Sequence, residues 1–436
     1  MAVVLEYSLP SADAIERRVL LKVTLRLIPF LCLLYFVNIL DRVNIGFARL
    51  QMLPDLHMSE KAYAIGAGVF SIGYCVLEVP SNLALSRVGA RRWIARILIS
   101  WGIISAAMVF TRGAWSFSLL RFLLGCAEAG FYPGILLYLT FWFPARQRAR
   151  AVAMVMMASP LVLMLGGPFT GALLEFTQHR AGLAGWQWVF VLEGLPAVLL
   201  GVVTFFYLTD RPEQAAWLSP EEKSWLARRL ADESRQFPQQ HSLKGAALDP
   251  RVWHLVALAV TIALGISGIS YYFPRLVQDR FPHLNPFQIG GMTAVAGTAA
   301  LLSIVAVGMH SDRTGERRMY VVGLALIAAA GWMLSAWRDV PLASFAGLVL
   351  AQAAMLSIWG PFWTLPTALL GGRAAAGGIA LINAIGNLGA VVGPIIIGWL
   401  FEATGSFMPG LAAMALTLLV TGVLAMSVQT VRLSSE

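Results

Sequence analysis

Charge is what this chain has least of. Charged residues make up 13% of its 436 residues and hydrophobic ones 58%, a balance that excludes an ordinary soluble domain. Cysteine is nearly absent: Cys32, Cys75 and Cys126 all lie in apolar segments without CxxC spacing. Neither a disulfide framework nor a thiolate metal site is expected, only small buried hydrophobes. The six histidines are scattered, with no HExxH pattern or other ligand cluster. No phosphate-cradling P-loop and no nucleophile elbow occur, so neither an enzyme nor a resident cofactor or metal is expected. Long polar stretches are missing as well. The longest, 210–250, has 41 residues, little for a soluble sensor module.

What is present is apolar run after apolar run, each long enough to cross a hydrocarbon core of about 30 Å. They fall near 27–50, 62–84, 93–111, 116–142, 149–174, 188–209, 252–277, 287–309, 319–337, 342–368, 374–401 and 408–429. The expected fold is therefore an all-α membrane protein of twelve transmembrane helices. The polar arm "SADAIERRVLLK" precedes the first run without a small-residue cleavage site, so that run is read as an uncleaved span. Lys and Arg number 23 in the loops on the side of the termini and 7 on the other side. By the positive-inside rule both termini are expected in the cytoplasm, the protein being multi-pass in the cell inner membrane. The net charge of +9 is then mostly topology, and no nucleic-acid partner is implied. The two remaining basic residues, Arg42 and Arg121, fall inside spans.

A shift of 226 residues carries "SRVGARRW" (86–93) onto "DRTGERRM" (312–319), and Gly167–Pro168 onto Gly393–Pro394. Two motifs in one register point to a duplicated six-helix unit, giving two pseudo-symmetric bundles, 1–209 and 251–436. The linker 210–250 carries "SPEEKSWLARRL". There Ser219 as N-cap, Pro220 and Glu222 form a capping box, and a short amphipathic helix is expected on the cytoplasmic face. Glycine-rich "GGPFTG" and "GNLGAVVGPIIIG" give thin, kinked surfaces on which the halves could slide.

A charge at mid-span costs roughly 3 kcal/mol, so it normally faces a partner or a water-filled cavity. "NILDRVNIGF" (38–47) places Asp41 and Arg42 in the first span. In the fourth, "RFLLGCAEAGFYPG" (121–134) spaces Arg121, Gly125, Glu128 and Tyr132 for one helical face. Arg121 and Glu128 would be about 10.5 Å apart, with a notch at Gly125 for a backbone or ligand. These charges could merely clamp the two helices, but apolar packing would do that without desolvation. The preferred reading is an anion site beside a proton carrier. Arginine holds a carboxylate with paired hydrogen bonds and keeps its charge, whereas a carboxyl group can take up and release a proton. Asp41 is expected about two turns from the periplasmic end of its helix. Asn383 and Asn387 share a face of the eleventh span, for substrate hydroxyls or for interhelical bonds. Tyr271, Tyr272, Trp359 and Trp363 could wall the pocket or simply pack.

Six plus six helices with basic loops after the second and eighth resemble the major facilitator superfamily. The loop "GMHSDRTGERR" (308–318) is similar to its signature, with Asp312, Arg313 and Gly315 in place; the first-half copy keeps Arg87 and Gly89 but has Ser86 where the acid is expected. "LDRVNIGFA", "GCAEAGFYPG" and "WFPARQRARA" resemble the anion:cation symporter family within it. "GYCVLEVPSNLALSRVGARRWIARI" and "GWQWVFVLEGLPAVLLG" are similar to its tartrate, phthalate, hydroxyphenylacetate and vitamin-acid permeases. The resemblance implies protonation at Asp41 and Glu128, and carboxylate binding at Arg42 and Arg121. It also implies a hydrogen-bonding aromatic at Tyr74, one turn before Glu78, and gating by the two loops and the Gly-Pro motifs. The expected function is proton-coupled import of an organic carboxylate by a monomer, the proton serving as coupling ion. Exchange or export of such anions, or a sensor role without transport, stays open.

Overall fold

The computed structural model describes residues 12–236, 247–369 and 373–428. The start of the N-terminal arm, part of the linker (237–246), the loop at 370–372 and the C-terminal tail lie outside the described residues. Among the described residues, twelve helices are long and apolar enough to cross a membrane: Ile15–Asp55, Glu60–Val88, Ala90–Phe110, Ala114–Thr140, Gln147–Phe176, Gly185–Tyr207, Pro250–Arg280, Pro286–Thr314, Arg318–Ser335, Pro341–Pro366, Leu381–Thr404 and Met408–Met426. They are called spans 1 to 12. Local chemistry sets their ends. Ser59 caps span 2 by accepting from Ala62 N at 3.2 Å, and Asn285 and Gln288 cap span 8 reciprocally at 2.9 and 3.0 Å, with Pro286 as the first helical residue. Gly315, at φ +66°, closes span 8 in a left-handed conformation that a side chain would strain.

Span 1 is longer than its apolar run. Its helix covers Ala12–Asp55, because the polar arm continues the same helix instead of preceding it. Asp41 consequently lies about 21 Å from the far end at Asp55, deep in the fold and not two turns from the surface.

The two halves meet across three pairs of spans: 1 with 7, 2 with 11, and 5 with 8. These contacts gather on the side away from the termini. One apolar core, from Val19 to Leu226, is confined to the first half and the linker. The other fills the second half and enters the first through far-side residues such as Phe47, Met52, Tyr63, Phe117 and Leu174. Two broken spans show where the halves part. Span 5 divides at Met157: its segment Ala158–Phe176 packs on both span 8 and span 1, and Ala145–Met156 packs on span 1. Span 11 divides near Asn387. Its segment Gly389–Thr404 packs on both span 2 and span 7, and Arg373–Gly386 packs on span 7. Shifted by the 226-residue repeat, Met157 falls on Asn383, one turn from that second break.

The linker helix, Pro220–Gln236, docks on the first half. Ser219 and Glu222 make the capping box at 2.9 and 3.2 Å. Glu222 also accepts from Lys22 Nζ at 2.7 Å, so the cap residue doubles as a tether to span 1. Trp217 stacks on Trp142 at 5.3 Å, and Glu233 receives Ala145 N at 3.0 Å.

Candidate functional site

Span 4 breaks at the residue expected to carry chemistry. Its first helix ends at Glu128, Ala129 turns to ψ 132° and Gly130 adopts φ +82° before helix resumes at Phe131. A side chain at Gly130 would collide with Ser81. The four-residue face therefore stops at Glu128, and Tyr132 belongs to the next segment, where it meets Tyr35 and donates to Met156 Sδ at 3.3 Å. The notch at Gly125 is not open. A Cβ there would strike the Phe70 carbonyl, because span 2 crosses span 4 at this point.

Glu128 is fully buried, and its Oε1 accepts from Arg42 Nε at 2.5 Å and from Asn38 Nδ2. Its charged partner is thus Arg42 on span 1, not Arg121 on its own helix. Arg121, 1% exposed, has no ion pair among the described residues. Its guanidinium lies 4.4 Å from the Phe70 ring centre. Arg42 lies over the same ring at 5.5 Å and over Tyr74 at 4.8 Å, so two cations flank one aromatic residue. Arg42 Nη2, Arg121 Nε, Arg121 Nη2 and Glu128 Oε2 are buried without a hydrogen-bond partner. Five-donor guanidiniums left with idle N–H groups inside the fold call for an anionic acceptor.

Asp41 is also buried, yet it does not pair with Arg42. Its Oδ1 accepts from Ser105 Oγ on span 3 and from Asn44 Nδ2 at 3.3 Å. Nearby lies a carboxyl that the sequence reading passed over. Glu193 on span 6, 1% exposed, accepts from Thr170 Oγ1 on span 5 at 2.6 Å. The signal was available: Glu193 is the one acid in an otherwise apolar helix, the criterion that picked out Asp41 and Glu128.

The far side is closed by a second set of missed residues. Arg49, counted by sequence as a loop charge, is 2% exposed. Tyr63 and Tyr272 flank it, each with its ring centre 4.6 Å from the guanidinium, and it pairs with Glu60. Arg275 of the second half approaches the same Glu60 at 3.8 Å, and Tyr63 donates across the halves to the Tyr271 carbonyl at 3.2 Å. Tyr272 donates to the Pro394 carbonyl at 3.4 Å. Tyr271 and Tyr272 thereby belong to this closure and not to an open pocket wall. Above it lies a vestibule of about 680 Å³ lined by Arg49, His57, Glu60, Arg275 and Asp279. Its pairing could not be read from one dimension, since Glu60 and Arg275 are 215 positions apart.

The other expected residues are dispersed. Asn383 donates to Glu78 Oε1 at 3.3 Å, linking spans 11 and 2 on the terminal side, whereas the Asn387 amide has no side-chain partner among the described residues. Trp359 and Trp363 stack on each other at 6.0 Å on span 10, half-buried. In the second-half loop Asp312 pairs with Arg317 at 2.8 Å within its own loop, while Arg313 is exposed. In the first-half loop Arg87 is exposed, and Asp210 supplies a carboxylate where Ser86 offers none. It accepts from Arg91 N at 2.7 Å beside Gly89, whose φ is +97°. Gly167, before Pro168, packs against Gly290 and Thr293 of the other half, but Gly393, before Pro394, packs against Leu264 and Ser267 of its own.

Two helical halves that join at one face and enclose charged side chains define a multi-pass membrane transporter, not an enzyme. The chain belongs to the Major Facilitator Superfamily, whose family model matches residues 31–376. A protein of Agrobacterium vitis provisionally named a tartrate transporter is 47% identical, the match covering 94% of this chain and 91% of that one. A quinolone resistance transporter of Acinetobacter baumannii is 40% identical, over 93% of each chain. The inward-open xylose transporter XylE from E. coli superposes with a TM-score of 0.73 over 95% of this chain and 98% of its own, at 15% identity, a likeness of fold alone.

Proposed function

We propose that this protein imports an organic carboxylate of the tartrate kind together with protons across the cell inner membrane, as a monomer with both termini in the cytoplasm. The observation that carries the reading is the pair Arg42 and Arg121 around Phe70, with buried guanidinium N–H groups that no protein atom accepts. A carboxylate would accept from those N–H groups through parallel hydrogen bonds. The relatives named for tartrate transport favour a small hydroxydicarboxylate, which would also employ the free Asn387 amide.

Coupling follows from competition for Arg42. While Glu128 is ionised it holds Arg42 Nε; once protonated it releases the guanidinium to the incoming anion. After the halves rock, loss of the proton toward the cytoplasm restores the Glu128–Arg42 pair and expels the substrate. The test is uptake of labelled L-tartrate into proteoliposomes with and without an acidic exterior. Accumulation that requires the pH gradient supports the reading, and equilibration indifferent to it overturns proton coupling. Export is the second reading, favoured by the quinolone resistance relative, and substrate-driven efflux from loaded vesicles discriminates it.

A further inference from the structure

We propose that Asp41 and Glu193 form one buried proton-sharing dyad, making Glu193 a coupling residue of this carrier. Spans 1, 3, 5 and 6 converge on it. Spans 3 and 6 cross so closely beside Glu193 that a Cβ on Gly102 would lie 2.7 Å from the Gly194 carbonyl oxygen, which leaves little room for solvent. Asn44 donates to Asp41 at 3.3 Å, and Ser105, which also donates to Asp41, has its Cβ 3.2 Å from where a Cβ on Gly194, the residue after Glu193, would stand. The inventory of polar atoms is unbalanced. Ser105 and Thr170 already donate, while Asp41 Oδ2, Glu193 Oε2 and Asn44 Oδ1 are buried acceptors with no donor.

Neither carboxyl has an ion pair among the described residues. The charged groups facing Asp41 are Arg121 and Glu128 from span 4, with Arg42 adjacent but turned to Glu128. Asp41 alone faces Glu193; spans 3 and 5 present only Ser105 and Thr170. Two neighbouring buried carboxyls without an ion-pair partner resist ionising together, and on this proposal one proton is held between them. The proton binds one carboxylate oxygen and is donated to an idle acceptor of the other or of Asn44, without change in any other bond. When Glu128 and the substrate exchange partners on Arg121 and Arg42, the field at Asp41 changes, and the shared proton is the one free to leave.

Its effect on transport rests on the symport reading above, but the proton itself can be observed without a substrate. Full-length protein in lipid bilayers is examined by infrared difference spectroscopy across pH steps, following the protonated-carboxyl stretch. The native protein should show a pH-dependent band that Glu193→Gln and Asp41→Asn each abolish, with no further loss in the double variant. A Glu193→Gln spectrum that keeps that band, or loses only one indifferent to pH, overturns the dyad, as does a native band displaced by sodium ions. Thr170→Val, which removes only the donor to Glu193, should shift the band's titration and reads the same point if Glu193→Gln does not fold. In vesicles, Glu193→Gln should lose the pH dependence of tartrate counterflow. If native vesicles show no proton-driven uptake, symport fails while the infrared result still decides the dyad.

Discussion

Glu128→Gln separates coupling from binding. The amide keeps an oxygen for Arg42 Nε and Asn38 Nδ2 but can neither ionise nor take up a proton. Breaking a fully buried ion pair costs about 3–5 kcal/mol. Arg42, however, is 31% exposed at its side chain, and that screening, with the retained neutral hydrogen bonds, reduces the cost to about 1–2 kcal/mol. The variant should therefore fold. A one-unit pH gradient supplies about 1.4 kcal/mol per proton, so with the membrane potential clamped the native carrier should concentrate tartrate about tenfold for each proton moved. In Glu128→Gln that ratio should fall to about one, while labelled tartrate inside still exchanges with unlabelled tartrate outside. Both quantities are measured in the same proteoliposomes. Native accumulation by the variant would refute the proposal that Glu128 carries the proton. Loss of exchange as well, with the protein correctly inserted, would refute it differently, by showing that Glu128 builds the site.

Three other outcomes are expected. Arg121→Lys keeps the charge but loses the planar fork; one charge-assisted hydrogen bond is worth about 1.5–3 kcal/mol, so KM for tartrate should rise about tenfold or more, and an unchanged KM would reduce Arg121 to background potential. Glu60→Gln removes the acid that joins Arg49 to Arg275, so a cysteine substituted at buried Ala64 should be labelled faster by an impermeant maleimide from the far side, and equal rates would show that apolar packing alone holds the closure. Burial tends to raise the Glu222 carboxyl, but Lys22, the Ser219 amide and Arg18 together hold it below the usual carboxylate range. Its contribution to docking the linker helix is present above the ordinary carboxylate pKa and is lost as pH falls through the lowered one, so amide exchange over 220–236 should accelerate only in that acid range, and protection that persists below it would show that Trp217 and Leu226 suffice.

Apolar runs, the repeat and the capping box were legible because each depends on residues close in sequence. The twelve spans fall where hydropathy places them, and Ser219 and Glu222 bond as their spacing requires. The site was legible as an inventory and not as a set of partners. Asp41, Arg42, Arg121 and Glu128 stood out as charges in lipid-length helices, but the spacing of Arg121 and Glu128 on one helix face did not fix the charged partner of Glu128. The actual partner, Arg42, comes from a helix 86 positions away. Arg49 was taken for a loop charge since the apolar run ends near it, whereas the helix continues to Asp55 and carries it between two tyrosines. Breaks at Gly130 and Asn387 leave no mark on hydropathy, because the residues around them remain apolar.

The distribution of buried charge separates the two halves by task. Among the described residues, Asp41, Arg49, Glu78, Arg121, Glu128 and Glu193 are all buried within the first half's spans, while Arg280 alone is buried in those of the second, near its far end. Elsewhere the second half buries hydroxyls and an amide, such as Ser267, Thr293, Gln352 and Ser357. Groups of that kind can read the shape and hydroxyl pattern of a substrate but cannot store a proton at neutral pH. On the proposed function the duplicated unit would have diverged: one copy would hold the ionisable groups that feel the gradient and the arginines that bind the carboxylate, the other a neutral surface for the rest of the substrate. On that reading, rocking of the halves would bring a proton-dependent charge to a proton-indifferent surface. Exchanging substrates should accordingly require changes mainly beyond residue 250, with Asp41, Glu128 and Glu193 left as they are.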